Sequence, residues 1–80
     1  MIYGMYSIQD TMVGFGQPNI IKNDEIAKRD YHNFLKQTPN AEYMRLYKVG
    51  TFDDETGTVL SIIPECIEGG LINGEVQNSN

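Results

Sequence analysis

The chain has 80 residues and carries 11 acidic against 6 basic side chains, a net charge of −5. This length fits one domain, and a domain so small buries only about 60% of its unfolded surface. A lone cysteine, Cys66, excludes an internal disulfide, and with a lone histidine, His32, it leaves too few ligands for a metal site. Self-association is the remaining source of stability, so we expect a homodimer.

Nothing in the sequence indicates a membrane or an export route. No apolar run approaches the roughly 20 residues of a membrane span, and the first residues lack the pattern of a signal peptide. One free cysteine and four methionines are compatible with a reducing compartment. We therefore expect a soluble intracellular protein.

The basic residues are confined to the middle of the chain. All six lie between Lys22 and Lys48, and this window also contains four acidic residues, so its net charge is +2. The other seven acidic residues give the rest of the chain a net charge of −7. Such asymmetry permits a local cationic patch on an acidic protein. Ordinary solvated surface charge is the alternative.

The first part of the chain predicts a β-hairpin. Alternating side chains indicate a strand over residues 2–9. One face would carry Ile2, Tyr6 and Ile8, and the other Tyr3, Met5 and Ser7. Asp10 begins a turn, because its side chain can bond the backbone two residues on. A returning strand is expected over residues 12–17, ended by Pro18, which cannot donate a hydrogen bond to a sheet.

An amphipathic helix is predicted over residues 24–37. Asn23 is a favourable N-cap, and the acids of the first turn oppose the helix dipole. Pro39 ends the helix by restricting the residue before it. The apolar stripe that should face the sheet is Ala27, Tyr31, Phe34 and Leu35. The solvent face is Glu25, Arg29, His32, Asn33 and Lys36.

A second hairpin follows, with strands over residues 43–52 and 58–63. Residues 53–57 form its turn, where Gly57 can take the positive φ that such loops require. Pro64 should end the last strand. The sequence thus predicts one α+β domain over residues 1–64, in the order β-β-α-β-β, with an antiparallel sheet of two hairpins and the helix on one face. Residues 65–80 are predicted to be a flexible polar tail.

Two stretches resemble a known family. The first is Tyr6-Ser7-Ile8-Gln9-Asp10 with Gly14 and Pro18 after it, and the second is Leu46-Tyr47-Lys48-Val49-Gly50-Thr51-Phe52-Asp53 followed by Gly57. In this order they resemble the small non-structural protein of gokushovirus-type microviruses, which are tailless phages with circular single-stranded DNA genomes. The similarity covers residues 2–63. It implies a DNA-binding role during phage genome replication in the host bacterial cytoplasm, and it implies no catalytic residue.

The residues permit such a role. Single strands are bound by aromatic side chains that stack on bases and by cations that track the phosphates. Three aromatic residues fall on compatible sheet faces, with two basic residues beside the third, and the helix adds three more cations. The candidate binding residues are Tyr3, Phe15, Arg45, Tyr47 and Lys48 on the strands and Lys28, Arg29 and Lys36 on the helix.

Other interpretations of these residues stay open. The aromatic residues fit a core or a dimer interface, and the helix cations fit a solvated face. The acids of residues 53–55 lack the ligand spacing of a calcium loop. No nucleophile with a neighbouring base is visible, so we expect neither an enzyme nor a cofactor.

A second class of function is an acidic module that docks on a replication protein or a host enzyme. The net charge of −7 outside residues 22–48 supports this alternative. A steep salt dependence of binding would favour DNA instead.

Overall fold

A computed structural model of the protein describes residues 1–69. Within that range it contains five strands, one α-helix and a short 3-10 helix over Ala41–Tyr43. The strands are β1 (Ile2–Asp10), β2 (Gly14–Phe15), β3 (Asn19–Ile21), β4 (Met44–Asp53) and β5 (Val59–Glu68), and the helix is α1 (Asp24–Leu35). The predicted α+β class, with an antiparallel sheet and one helix, is confirmed.

The two long hairpin strands β1 and β4 lie side by side at the centre of the sheet. All pairings are antiparallel. The other side of β4 pairs with β5, and the other side of β1 pairs with β2 near its end and with β3 near its start. The sheet therefore has four positions, of which one is shared by the two short strands.

The turn after β1 has the predicted side-chain bond: the backbone N of Met12 donates to Oδ1 of Asp10 at 2.9 Å. The returning strand ends before Pro18, as predicted, but it covers only Gly14–Phe15 instead of residues 12–17. A further strand that was not predicted, β3, follows Pro18 and pairs Ile20 with Met5. Pro18 falls between β2 and β3, where pairing is interrupted. There the hydroxyl of Ser7 donates to the carbonyl of Gly16 at 2.7 Å, so a side chain replaces the missing ladder bond.

Helix α1 begins where predicted. Oδ1 of Asn23 accepts a hydrogen bond from the backbone N of Ile26 at 2.9 Å. The helix ends at Leu35, two residues before the predicted end. Thr38 accounts for this, because its hydroxyl donates to the carbonyl of Phe34 at 2.9 Å and satisfies a group that a longer helix would have used.

The core lies between α1 and one face of the sheet. Its fully buried members are Tyr6, Ala27, Tyr31 and Leu46. The predicted apolar stripe is wrong at Phe34, which is 41% exposed. Phe34 lies toward the end of the sheet where β2 has only two residues and offers little cover, so its ring borders an open groove beside Phe15.

The turn between β4 and β5 has its predicted geometry. Gly57 has φ of +75°, a conformation that favours glycine. Oδ1 of Asp53 accepts a hydrogen bond from the backbone N of Glu55 at 2.9 Å, and the carbonyl of Asp53 accepts one from Gly57 at 2.8 Å.

The prediction that Pro64 ends the last strand is wrong. β5 continues to Glu68. Pairing shifts between Gly50 opposite Ser61 and Lys48 opposite Glu65, so residues 62–64 form a bulge where no ladder N–H is needed from the proline. The rest of the predicted tail, residues 70–80, lies outside the described residues.

Candidate nucleic-acid interface

The sheet has a covered face and an open face. Side chains alternate along each strand, and directly opposed residues of paired strands share a face. Tyr6 and Leu46 lie on the face that α1 covers. The residues that alternate with these along each strand lie on the other face. No helix of residues 1–69 covers that face. This open face carries Tyr3, Met5, Ser7, Gln9, Phe15, Arg45 and Tyr47.

Two aromatic rings meet on the open face. The centroids of Phe15 and Tyr47 are 5.0 Å apart with an interplanar angle of 67°, an edge-to-face contact. Ser7, a small residue directly opposite Tyr47, is almost fully buried and leaves room for the contact. Phe15 is 50% exposed, so part of its ring is accessible to a ligand.

Arg45 provides the positive charge beside these rings. It lies directly opposite Gln9, which lies opposite Phe15 on its other side. Nε of Arg45 and Oε1 of Gln9 are both buried without a hydrogen-bond partner among the described residues. No carboxylate of residues 1–69 forms an ion pair with Arg45. Because arginine stays protonated in proteins, this face holds an uncompensated cation next to two rings.

Tyr3 extends the open face along β1. It is four residues from Ser7, a distance of about 13 Å at the rise of an extended strand. Its cross-strand partner is Phe52, which in turn pairs with Val59 of β5. The open face therefore has a second aromatic row, about 13 Å along the strand from the first.

Lys48 lies on the covered face, away from Tyr47. Its Nζ is 3.7 Å from Oδ1 of Asp24, and the hydroxyl of Tyr6 donates to the same oxygen at 2.5 Å. Burial, followed by the hydrogen bond and negative charge of Asp24, raises the pKa of Tyr6. Lys48 thus belongs to a polar cluster that joins the start of α1 to the sheet.

The cations of the helix lie on the far side of the domain from the open face. Nζ of Lys28 is 4.0 Å from Glu25, and Nη2 of Arg29 is 3.4 Å from Asp30. Lys36 is at the C-cap of α1, where a positive charge favours the helix dipole. The predicted residues therefore divide into two groups on opposite sides of the domain, and only Tyr3, Phe15, Arg45 and Tyr47 share the open face.

Gln9 is the residue of this site that the sequence reasoning missed. It stands between Phe15 and Arg45 in one row across three strands. The alternation that placed Tyr3 and Ser7 on one face extends to Gln9 and was the available signal. Its neighbours depend on the strand register, which one sequence does not show.

The acidic turn after β4 is partly neutralised within the chain. The amino group of Met1 lies 2.8 Å from Asp54 and 3.5 Å from Glu55, and the hydrogen bond with Asp54 raises the pKa of that amino group. Residues 1–69 hold no group of three or more possible metal-ligating side chains. His32, predicted to be exposed, is exposed and lies 2.7 Å from Oε2 of Glu68. No helix in this part of the chain is long and apolar enough to cross a membrane.

Comparison with known proteins gives one match. The family model described as Phage ORF5 protein matches residues 3–71. No curated protein and no solved structure matches the chain. The matched range includes all of β5 up to Glu68, beyond the residues 2–63 expected from the sequence motifs.

Proposed function

The chain belongs to the Phage ORF5 protein family, and from this membership and the open face we propose that it is a non-enzymatic protein that binds single-stranded DNA. As a member of that family it is a phage protein. It acts as a non-structural protein of the microvirus type during genome replication, in the cytoplasm of the host bacterium. The family supplies the phage context, and the residues of the open face supply the argument for DNA.

The observation that carries the proposal is the grouping of Phe15, Tyr47 and Arg45 on one uncovered face. A base that stacks on an aromatic side chain contributes about 1–3 kcal/mol to binding. Every base has a π-face, so this contact needs no particular sequence. Arg45 would contact a phosphate beside a stacked base, and no carboxylate of residues 1–69 competes for it at ion-pair distance.

The distribution of charge makes stacking the main source of affinity. Among the predicted binding cations, only Arg45 lies on the open face, and Lys48, Lys28 and Arg29 each have a carboxylate partner. The logarithm of the affinity for single strands falls by about 0.7 per contacted phosphate for each tenfold rise in salt. We expect a slope near that of one or two phosphates, which is shallower than the sequence alone led us to expect.

Fluorescence anisotropy with a labelled oligothymidylate tests the proposal. The oligonucleotide is titrated at low salt and again as salt is raised, and the expected result is saturable binding with a shallow slope. The same labelled strand annealed to its complement is the control, because paired bases cannot stack on the rings. Absence of binding at low salt, or equal binding of single strand and duplex, would contradict the proposal. The first result would favour the acidic docking module.

A further inference from the structure

The outer side of β5 is a free sheet edge. β5 pairs with β4 on one side, and no strand of residues 1–69 pairs with its other side. Residues 56–64 contain no charged side chain. Natural sheets usually protect such an edge with charges, prolines or a covering segment, because its free N–H and C=O groups pair readily with another strand.

This edge also exposes apolar side chains. Ile63 is 89% exposed, the highest value among the large apolar residues of the described chain. Leu60 and Val59 are each 59% exposed, and Ile62 is 37% exposed. An exposed apolar strand with free backbone groups is the kind of surface that binds another strand by extending the sheet.

We propose that residues 59–63 of β5 pair antiparallel with the same residues of a second copy of the chain. An antiparallel strand is complementary to itself around a two-fold axis, so each contact is made twice. The segment brings no like charges together, whereas most other surfaces of a chain with net charge −5 would. Pro64 marks the end of the pairing because it has no N–H to donate.

The two-fold axis of such a pair is perpendicular to the sheet. It places the open faces of both copies on one side and both α1 helices on the other side. The two Phe15 and Tyr47 pairs then belong to one continuous surface that a single DNA strand can follow. This consequence rests on the proposed function, whereas the strand pairing itself does not.

The dimer should be weak and in exchange with the monomer. A standard interface buries about 800 Å² on each partner, and the paired residues 59–63 of one strand cover less than that. We therefore expect a dissociation constant in the micromolar range or above, and the fraction of dimer should rise with protein concentration.

Sedimentation analysis of the full chain without DNA, from micromolar to near-millimolar concentration, tests the pairing. The expected result is a shift from monomer to dimer as concentration rises. Val59 of one copy lies opposite Ile63 of the other in this pairing, so Ile63→Lys and Val59→Lys each place a charge in an apolar cross-strand pair twice over and should weaken the dimer at least tenfold. Val13→Lys is the matched control, because Val13 is 86% exposed in the turn between β1 and β2, away from β5, and it should dimerise like wild type.

Three results would overturn the pairing: wild type that stays monomeric at the highest concentration, Ile63→Lys that dimerises like wild type, or Val13→Lys that weakens the dimer as much as Ile63→Lys. Circular dichroism of each variant establishes that it is folded. Oligonucleotide binding is measured separately on the same proteins. A dimer without affinity for DNA would support the strand pairing and contradict the proposed function. A monomer that binds DNA would contradict the strand pairing and support the proposed function.

Discussion

The hydroxyl of Tyr6 donates a hydrogen bond to the carboxylate of Asp24 across 2.5 Å. This bond joins the middle of β1 to the first residue of α1. The ring of Tyr6 lies over Gly4, where a Cβ would collide with it. The start of the helix is thereby fixed over one face of the sheet, which leaves Phe15 and Tyr47 uncovered on the other.

Replacing Tyr6 with phenylalanine should lower the free energy of unfolding by about 1–2 kcal/mol, because a hydrogen bond to a charged acceptor is lost. We expect a loss in the lower part of the range for hydrogen bonds to charged groups, because the Asp24 carboxylate is partly exposed and water can hydrate it. Urea denaturation measures the change. Tyr43→Phe is the control, since Tyr43 is exposed. An equal loss in both variants would show that the Asp24 contact contributes nothing.

Alkaline pH should destabilise the protein through Tyr31. Burial, with a smaller effect from Glu68, raises the pKa of Tyr31 from 10.0 to about 12. Above pH 10.0 the unfolded chain loses this proton while the folded chain keeps it, so the free energy of unfolding should fall from there to about pH 12. Tyr31→Phe should reduce this fall. The measurement is the urea midpoint as a function of pH, and parallel curves for wild type and variant would contradict the assignment.

Removing either ring of the open face should weaken DNA binding. Tyr47→Leu and Phe15→Leu keep apolar bulk on the strand but lose the stacking surface, which contributes about 1–3 kcal/mol per base. We expect roughly a tenfold or greater loss of oligothymidylate affinity for each variant. Anisotropy titration at low salt measures it. Tyr43→Leu, in the short 3-10 helix that precedes β4, should bind like wild type, and a comparable loss there would indicate another binding surface.

The two basic residues that flank Tyr47 should differ in their effect on DNA binding. Arg45→Gln should lower the affinity and make the salt slope shallower by about 0.7, the contribution of one phosphate contact. Lys48→Gln should leave the affinity unchanged, because its ammonium group lies near Asp24 on the covered face. Titrations at several salt concentrations distinguish the two variants. The opposite result would place the DNA on the side of α1.

Local features of the fold were predictable from the sequence. The N-cap of Asn23, the turn bond of Asp10 and the positive φ of Gly57 each depend on a few neighbouring residues. Their physical causes act within one turn of chain, so the residue types alone indicate them. The order of β1, β2, α1, β4 and β5 follows from the same short-range patterns, whereas the three-residue strand β3 was not predicted.

Features that depend on strand pairing were not predictable in the same way. Pro64 usually ends a strand, but the bulge at residues 62–64 accommodates it because β4 requires no N–H there. Alternation alone puts Lys48 and Arg45 on opposite faces of β4, but the ion pair of Lys48 depends on Asp24, which is distant in sequence. Phe34 fits the apolar stripe of α1, yet the short β2 leaves it exposed.

The interruption at Pro18 bears on how far an assembly of this chain can grow. A sheet with long free strands on both sides could add copies without limit and form a ribbon. Here one side of the sheet is divided between β2 and β3, with two and three residues, and a proline stands between them. Within residues 1–69, only the β5 side offers a long strand. The proposed association through β5 would therefore stop at two copies and would not grow into a fibre.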